Sequence, residues 1–399
     1  MKKAIILVLF DIVSNFGSRV FSFACAFYIL QYTDTSYTYS VYLALIVLCG
    51  ISASPIIGVF TDSINNRLLV IIAQTATIGI LAVFFFLFDI AGIQLIIITG
   101  MILTITDSVN MLILQSNLQT IVGEYLERIV SLRQTIITVV TFLSPMVGGV
   151  LIAMLSIQTL ATLTLLTESI SLILLLLLPL KSYLEKGERA SFTTNFKEGI
   201  SYMKQQKIIL LFICVGLSVN FFVNSVVVGV PIIAIQTLSL NSAQFGVIEG
   251  SLTISIFLTS LLFSVFPIQA HLFRNLKVAI ALYSMILSGL GIFLFFETSS
   301  NIAFIFLIGV YVAIGFTMPY LNIPYNIYLQ KTVDDAYKGR VFSMNQSIVQ
   351  ALMPISMLFY GLILNQYEGI IFLVTGMALL VVLLIFSIVS NRYENSAEA

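Results

Sequence analysis

The sequence predicts an all-α integral membrane protein with twelve transmembrane helices in two pseudo-symmetric bundles of six. Three observations carry this expectation. The 399 residues are 59% apolar and only 9% charged, far from the balance of a soluble domain. Apolar runs of about 20 residues, the length that crosses a bilayer, recur along the whole chain. The Lys and Arg residues fall in every second connection, with Arg19 the one exception.

The spans are read at about 4–31, 38–60, 68–88, 92–117, 133–155, 157–180, 207–236, 243–269, 275–296, 301–328, 341–365 and 368–391. The first follows Met1-Lys2-Lys3. It is interrupted by Asp11, Asn15 and Arg19, and no small-residue cleavage site follows, so it reads as a span and not as a signal peptide. The turns near Asp34, Asp89, Ser156, Leu240, Glu297 and Glu368 hold no Lys or Arg. The positive-inside rule therefore puts both termini in the cytoplasm, and a bacterial cell membrane is the expected location. Tyr28, Tyr32, Tyr37, Tyr39 and Tyr42 are expected to form an outer interfacial belt. Cys25, Cys49 and Cys214 lie within apolar runs without disulfide or metal spacing and read as small core residues.

The longest polar stretch, Lys181 to Lys207, separates an N-terminal bundle (1–180) from a C-terminal one (207–391) through a cytoplasmic linker (181–206). A short tail (392–399) follows. The halves also repeat. Gln119, Val122, Arg128, Ser131, Gln134 and Gly149 match Gln330, Val333, Arg340, Ser343, Gln346 and Gly361 at a nearly constant offset. A parallel 6+6 repeat is a transporter architecture, with a binding site near the midplane.

The segment Gly58-Val59-Phe60-Thr61-Asp62-Ser63-Ile64-Asn65-Asn66-Arg67 is a charged turn between two apolar runs. Asp62 sits where a following helix could begin, a place that favours a carboxylate. The turn resembles the loop between helices 2 and 3 of the major facilitator superfamily. Gly58, Asp62 and Arg67 match, while Ser63 and Asn65 replace the usual Arg and Gly. Ser144-Pro145-Met146-Val147-Gly148-Gly149 resembles the end of the antiporter motif of drug exporters. Ser144 stands for its first Gly, and Ser131 and Val140 stand where upstream glycines occur. Asn195-Phe196-Lys197-Glu198-Gly199-Ile200-Ser201-Tyr202 and Lys338-Gly339-Arg340-Val341-Phe342-Ser343 resemble elements of the macrolide-efflux branch. The resemblance implies a central cavity lined by helices 1, 4, 7 and 10. It also implies a cytoplasmic gate in which Asp62 engages helix 11, through Asn345 and the amides near Ser343, together with Gly58, Arg67, Arg128, Arg133 and Arg340.

Ionisable groups inside membrane helices are costly unless they pair or face water, so they are the first functional candidates. Asp11 and Arg19 are eight residues apart with Asn15 between them, which places the three on one face. Either this stripe walls a cavity with Asp11 protonatable, or it pairs internally and fixes packing. Asp107, among Thr104, Thr106, Ser108 and Asn110, is the leading proton-coupling candidate; its alternative is a structural bond to Arg19. Glu168, on a helix peripheral to the cavity, reads as a structural pair or a further coupling group. Glu249, near the outer end of helix 8, reads as an exposed carboxylate or a cation site at the cavity mouth. Asn220 and Asn224, and Asn322 and Asn326, are i,i+4 pairs on helices 7 and 10. Pro319 and Pro324 allow helix 10 to bend. His271 reads as a solvated loop residue.

These readings converge on a non-enzymatic, proton-coupled exporter of hydrophobic or amphipathic small molecules, macrolide-like drugs included. No cofactor, metal or nucleic acid is expected, and no phosphate-binding G-x-x-x-x-G-K-[ST] is present. A monomer is expected. Two rivals stand beside it. One is an exporter of a polar metabolite such as a siderophore, for which only Arg19 would supply cationic character. The other is a non-transporting membrane sensor, which should carry a soluble domain.

Overall fold

The computed structural model describes residues 2–33, 35–63, 65–180, 200–266, 272–334, 337–364 and 367–398; the side chains at 54–55, 58–63, 338–340, 343 and 392–398 lie outside that description. The described residues are helical throughout, without a strand. We number the passes α1 (Lys2–Tyr32) and α2 (Ser36–Ser63), then two within the stretch Asn66–Val122. Gly92, with φ 52°, interrupts that stretch and divides it into α3 (66–91) and α4 (93–122). A backbone with positive φ suits Gly, which has no Cβ. That the chain reverses there is shown by Thr77 donating to Thr106 (2.7 Å) and Asn110 donating to Gln74 (3.1 Å). α5 (Leu126–Met154) and α6 (Ile157–Leu176) complete the first six.

The second six are α7 (Lys207–Ile232), α8 (Ser242–Val265), α9 (Leu272–Phe293), α10 (Ser300–Thr332), α11 and α12 (Glu368–Glu398). α7 ends in a π-type turn, Ile233–Thr237. α11 comes in two pieces, Lys338–Gln350 and Met353–Ile363. Ten continuous helical stretches among the described residues are long and apolar enough to cross a membrane, and one of them, 66–154, holds three passes. Twelve passes result.

Several boundaries differ from those read in the sequence. α5 begins at Leu126, seven residues before the expected start at 133, because Glu127 and Arg128 occupy a first turn that apolar counting misses. α12 runs on to Glu398, through residues expected to form a tail. Asp62 closes α2, and the N-cap of α3 is Asn65, whose Oδ1 accepts from the Arg67 amide at 2.9 Å. α8 opens with a reciprocal cap: the Asn241 amide donates to Gln244 Oε1 (3.1 Å) and the Gln244 amide donates to Asn241 Oδ1 (2.9 Å). Tyr39 and Tyr42 are buried; of the expected belt, Tyr32 and Tyr37 are exposed.

The chain divides into two compact units, Met1–Gly187 with Ser239–Thr253, and Glu188–Leu238 with Ile254–Ala399. Within the first, α1 and α5 run parallel, since Asp11 meets Arg133 and Val20 meets Gly148. α2 and α4 also run parallel, with Tyr42 at Gly100 and Gly50 at Thr104. α3 and α6 run antiparallel, with Arg67 at Leu176 and Asp89 at Gln158. The second unit repeats each relation. α7 and α11 are parallel (Gly216 at Val349, Asn224 at Ser356), as are α8 and α10 (Ser255 at Val312, Phe263 at Tyr320). α9 and α12 are antiparallel (Ser284 at Gly376, Lys277 at Asn391). The internal repeat seen in the sequence is thus a repeat of helix pairing.

Each unit has its own apolar core, around Leu7, Ile113 and Leu175 in the first and Ile209, Leu329 and Val341 in the second. Large apolar side chains such as Phe86, Ile90, Met154 and Met285 point outward, the inverse of a soluble protein and suited to lipid.

A close backbone-to-backbone approach in the first unit joins α5 to the beginning of α8. A Cβ at Gly149 would overlap the Ser242 carbonyl oxygen, and one at Gly246 would overlap the Pro145 carbonyl oxygen. Backbone meets backbone here, so no side chain can swing aside. Gly149→Ala is expected to destabilise the protein by about 3 kcal/mol, the upper range for overpacking. Thermal melting in detergent checks this; an unchanged melting temperature would show that the contact is loose.

Candidate functional site

Polar side chains gather in two places, one in each unit. In the first, α1, α3, α4 and α6 supply a hydrogen-bonded network around Glu168, which is only 1% exposed. The Ser18 hydroxyl donates to Glu168 Oε1 at 3.0 Å. Gln74 Nε2 donates to the Glu168 backbone oxygen at 3.1 Å and also to Oε2 of its carboxyl. Asn110 Nδ2 donates to Gln74 Oε1 at 3.1 Å, while its own buried Oδ1 has no partner. Buried polar atoms are normally satisfied, so this network is built around the carboxyl and is not incidental to packing.

The carboxyl of Asp107 lies close to Ser18 and within electrostatic reach of both Glu168 and the guanidinium of Arg19. A hydroxyl donates one proton and accepts through two lone pairs. Ser18 donates to Glu168, and its oxygen keeps lone pairs free to accept from a neighbouring group. Asp107 and Arg19 are accessible, whereas Glu168 is sealed behind Ser18. The arrangement has an open end and a closed end.

The stripe Asp11–Asn15–Arg19 does not act as one group. Asp11, 2% exposed, is held by both arms of Arg133: Nε donates at 2.5 Å and Nη2 at 2.9 Å. Asn15 back-bonds to its own helix at the Asp11 carbonyl, 2.9 Å away. Arg19 lies within electrostatic reach of Asp107. Eight residues of helix span about 12 Å, so the two ends of the stripe meet different neighbours.

Arg133, expected beside Asp62 in a gate, is committed to Asp11. Arg67 donates to the Leu176 carbonyl at 3.0 Å and closes the end of α6. Arg128 is exposed beside an apolar groove formed by Ala4, Ile5 and Tyr125. The side chains of Gly58, Asp62 and Arg340, and the linker motif at 195–199 with His271, lie outside the described residues. Pro145, Gly148 and Gly149 sit where α5 packs: Gly148 lies against Phe23 and the Val20 carbonyl of α1, and Gly149 against α8. Glu249 is half-buried, within electrostatic reach of the buried Tyr39.

In the second unit α7, α10 and α11 line an open cavity of about 670 Å³. Asn220, Asn322 and Asn326 line it. Asn224 does not; its Nδ2 donates to Ser356 at 2.7 Å inside the α7–α11 contact. Sequence reasoning missed Tyr325, Gln346 and Gln350, and assigned Asn345 to the gate. All four line this cavity, and Tyr325 donates to Asn345 Oδ1 at 2.6 Å. The signal was present. Lys338–Gln350 is markedly polar for a membrane pass, and two prolines open α10 beside it. The break in α11 follows Gln350, at the cavity wall.

Among the described residues no three His, Cys, Asp or Glu side chains converge as a metal site would require. Twelve membrane passes in two repeats of helix pairing, with polar groups held inside, are the frame of a membrane transport protein. The profile of the Major Facilitator Superfamily matches residues 7–357, and the chain belongs to that family. No curated protein matches the sequence. Solved structures share its fold at low identity. The crystal structure of the nucleoside transporter NupG superposes with a TM-score of 0.74 at 13% identity, covering 97% of this chain and 98% of that one. A bacterial homologue of the iron transporter ferroportin, in an inward-facing state, gives 0.71 at 15% identity, covering 96% and 98%. A POT family transporter in complex with a thioalcohol-conjugated peptide gives 0.67 at 15% identity, covering 97% and 96%.

Proposed function

We propose that the chain is a proton-coupled secondary exporter of amphipathic small molecules, macrolide-like drugs among them, from the cell membrane of a bacterium. The observation that carries the proposal is the buried Glu168 carboxyl held by Ser18, with Asp107 and Arg19 within electrostatic reach. Carboxyls placed inside a membrane bundle serve proton pathways. In this reading a proton enters at the accessible Asp107 and leaves on the other side after the halves rock. Residues 1–180 move against 207–391 around the midplane, with both termini cytoplasmic and the transporter working as a monomer. Export is supported by the Pro145, Gly148 and Gly149 element, which resembles that of drug exporters. Gly58, Asp62, Arg67, Arg128 and Arg340 form the cytoplasmic gate.

The test uses inverted membrane vesicles energised to an acidic interior, challenged with macrolides, other amphipathic drugs and polar metabolites. A substrate of the exporter releases protons from vesicles that contain the protein and not from controls. If none of the compounds does so, proton-coupled drug export is wrong.

A further inference from the structure

The cavity of the second unit joins two features: a dense set of carboxamides and, among the described residues that line it, no charged side chain. Asn220, Asn322, Asn326, Asn345, Gln346 and Gln350 supply the amides, and Phe212, Phe342 and Met353 supply apolar surface. An ion brought into such a site leaves water without meeting a counter-charge, which costs several kcal/mol. A neutral polar molecule meets partners at once, because a carboxamide both donates and accepts.

The amides are also oriented. Asn220 Nδ2 donates to the Gly216 carbonyl (2.9 Å) and Asn322 Nδ2 to the Met318 carbonyl (3.2 Å) of their own helices. Each therefore presents Oδ1, an acceptor, to a ligand. Asn345 is turned the other way: its Oδ1 accepts from Tyr325, which leaves Nδ2 to donate. Acceptors stand on α7 and α10, and a donor on α11. The volume of about 670 Å³ suits a drug-sized molecule.

We infer that this cavity selects uncharged ring compounds carrying several hydroxyl or amide groups, with an apolar ring face, and rejects their ionised analogues. The inference rests on the transporter reading, and it narrows the amphipathic substrate to a neutral one. A lipophilic cation seated on the aromatic side chains and an anionic metallophore are the alternatives it excludes.

The experiment measures binding to the purified full-length protein by thermal shift and equilibrium dialysis, with no proton gradient. The probes are matched pairs that differ by one charge, p-nitrophenyl glucoside with p-nitrophenyl glucuronide and nicotinamide with nicotinate, together with tetraphenylphosphonium. The neutral member of a pair should bind at least about tenfold more tightly than its charged analogue, and Asn322→Leu should weaken it about tenfold. Asn345→Asp, which keeps side-chain shape, should shift preference toward the amino-sugar analogue of the glucoside. Equal or tighter binding of the charged members, preference for tetraphenylphosphonium, or no binding of either neutral compound overturns the inference. Neutral binding without proton movement sinks the coupling proposal alone. Proton movement driven only by charged compounds sinks this inference alone.

Discussion

Asp107→Asn is expected to reduce gradient-driven accumulation of substrate to the level of empty liposomes while leaving substrate binding and substrate exchange intact. An Asn side chain has the shape of Asp and sits at an accessible position beside an accessible Arg19, so packing is little disturbed. What disappears is the ionisable carboxyl that the proposed coupling requires at Asp107. Glu168→Gln tests the sealed carboxyl. It keeps one acceptor for Ser18 and should impair driven transport without abolishing exchange. Exchange measured by counterflow and accumulation measured under an imposed pH gradient separate the two steps. Loss of both in Asp107→Asn would make Asp107 structural.

Asp11→Ala is expected to produce the largest loss of stability of any carboxylate replacement described here, about 3–5 kcal/mol, the range for stripping one partner from a buried ion pair. Arg133 is 15% exposed and bonds Asp11 through two nitrogens, so its guanidinium would be left largely buried and unpaired. Asp11→Leu combined with Arg133→Met removes both charges and should recover most of the loss. Thermal melting of the three variants in detergent checks the prediction. This result would also answer the question the sequence left open at Asp11: a group whose loss is repaired by removing its partner fixes packing. Normal stability with abolished proton movement in Asp11→Asn would instead make Asp11 a coupling group.

The fold was legible because a bilayer imposes it. Length, apolarity and the alternation of Lys and Arg each mark a pass independently, and together they count twelve. What failed were the ends, where α5 opens with Glu127 and Arg128 and α12 continues past the apolar run. The candidate site was legible only in its local part. Asn220, Asn322 and Asn326, on the polar faces of α7 and α10, share a cavity. Asn224, one turn from Asn220, does not, because the helix face that meets Ser356 is decided by tertiary packing. Ser18 with Glu168 and Asp11 with Arg133 join residues 150 and 122 apart. No spacing rule reaches across such distances. Asp11 and Arg19 looked like one stripe because helical periodicity records a shared face and not the neighbour each end meets.

The central claim is that transport is driven by protons, and one recording tests it most directly. The purified protein is reconstituted into liposomes containing a pH-sensitive dye, with a substrate found by the vesicle screen. The substrate is then added across an imposed pH gradient in the absence of sodium. The account predicts accumulation of the substrate above its external concentration, matched by proton movement in the opposite direction and abolished by a protonophore. Equilibration of the substrate to equal concentrations on both sides, indifferent to the gradient, would contradict it.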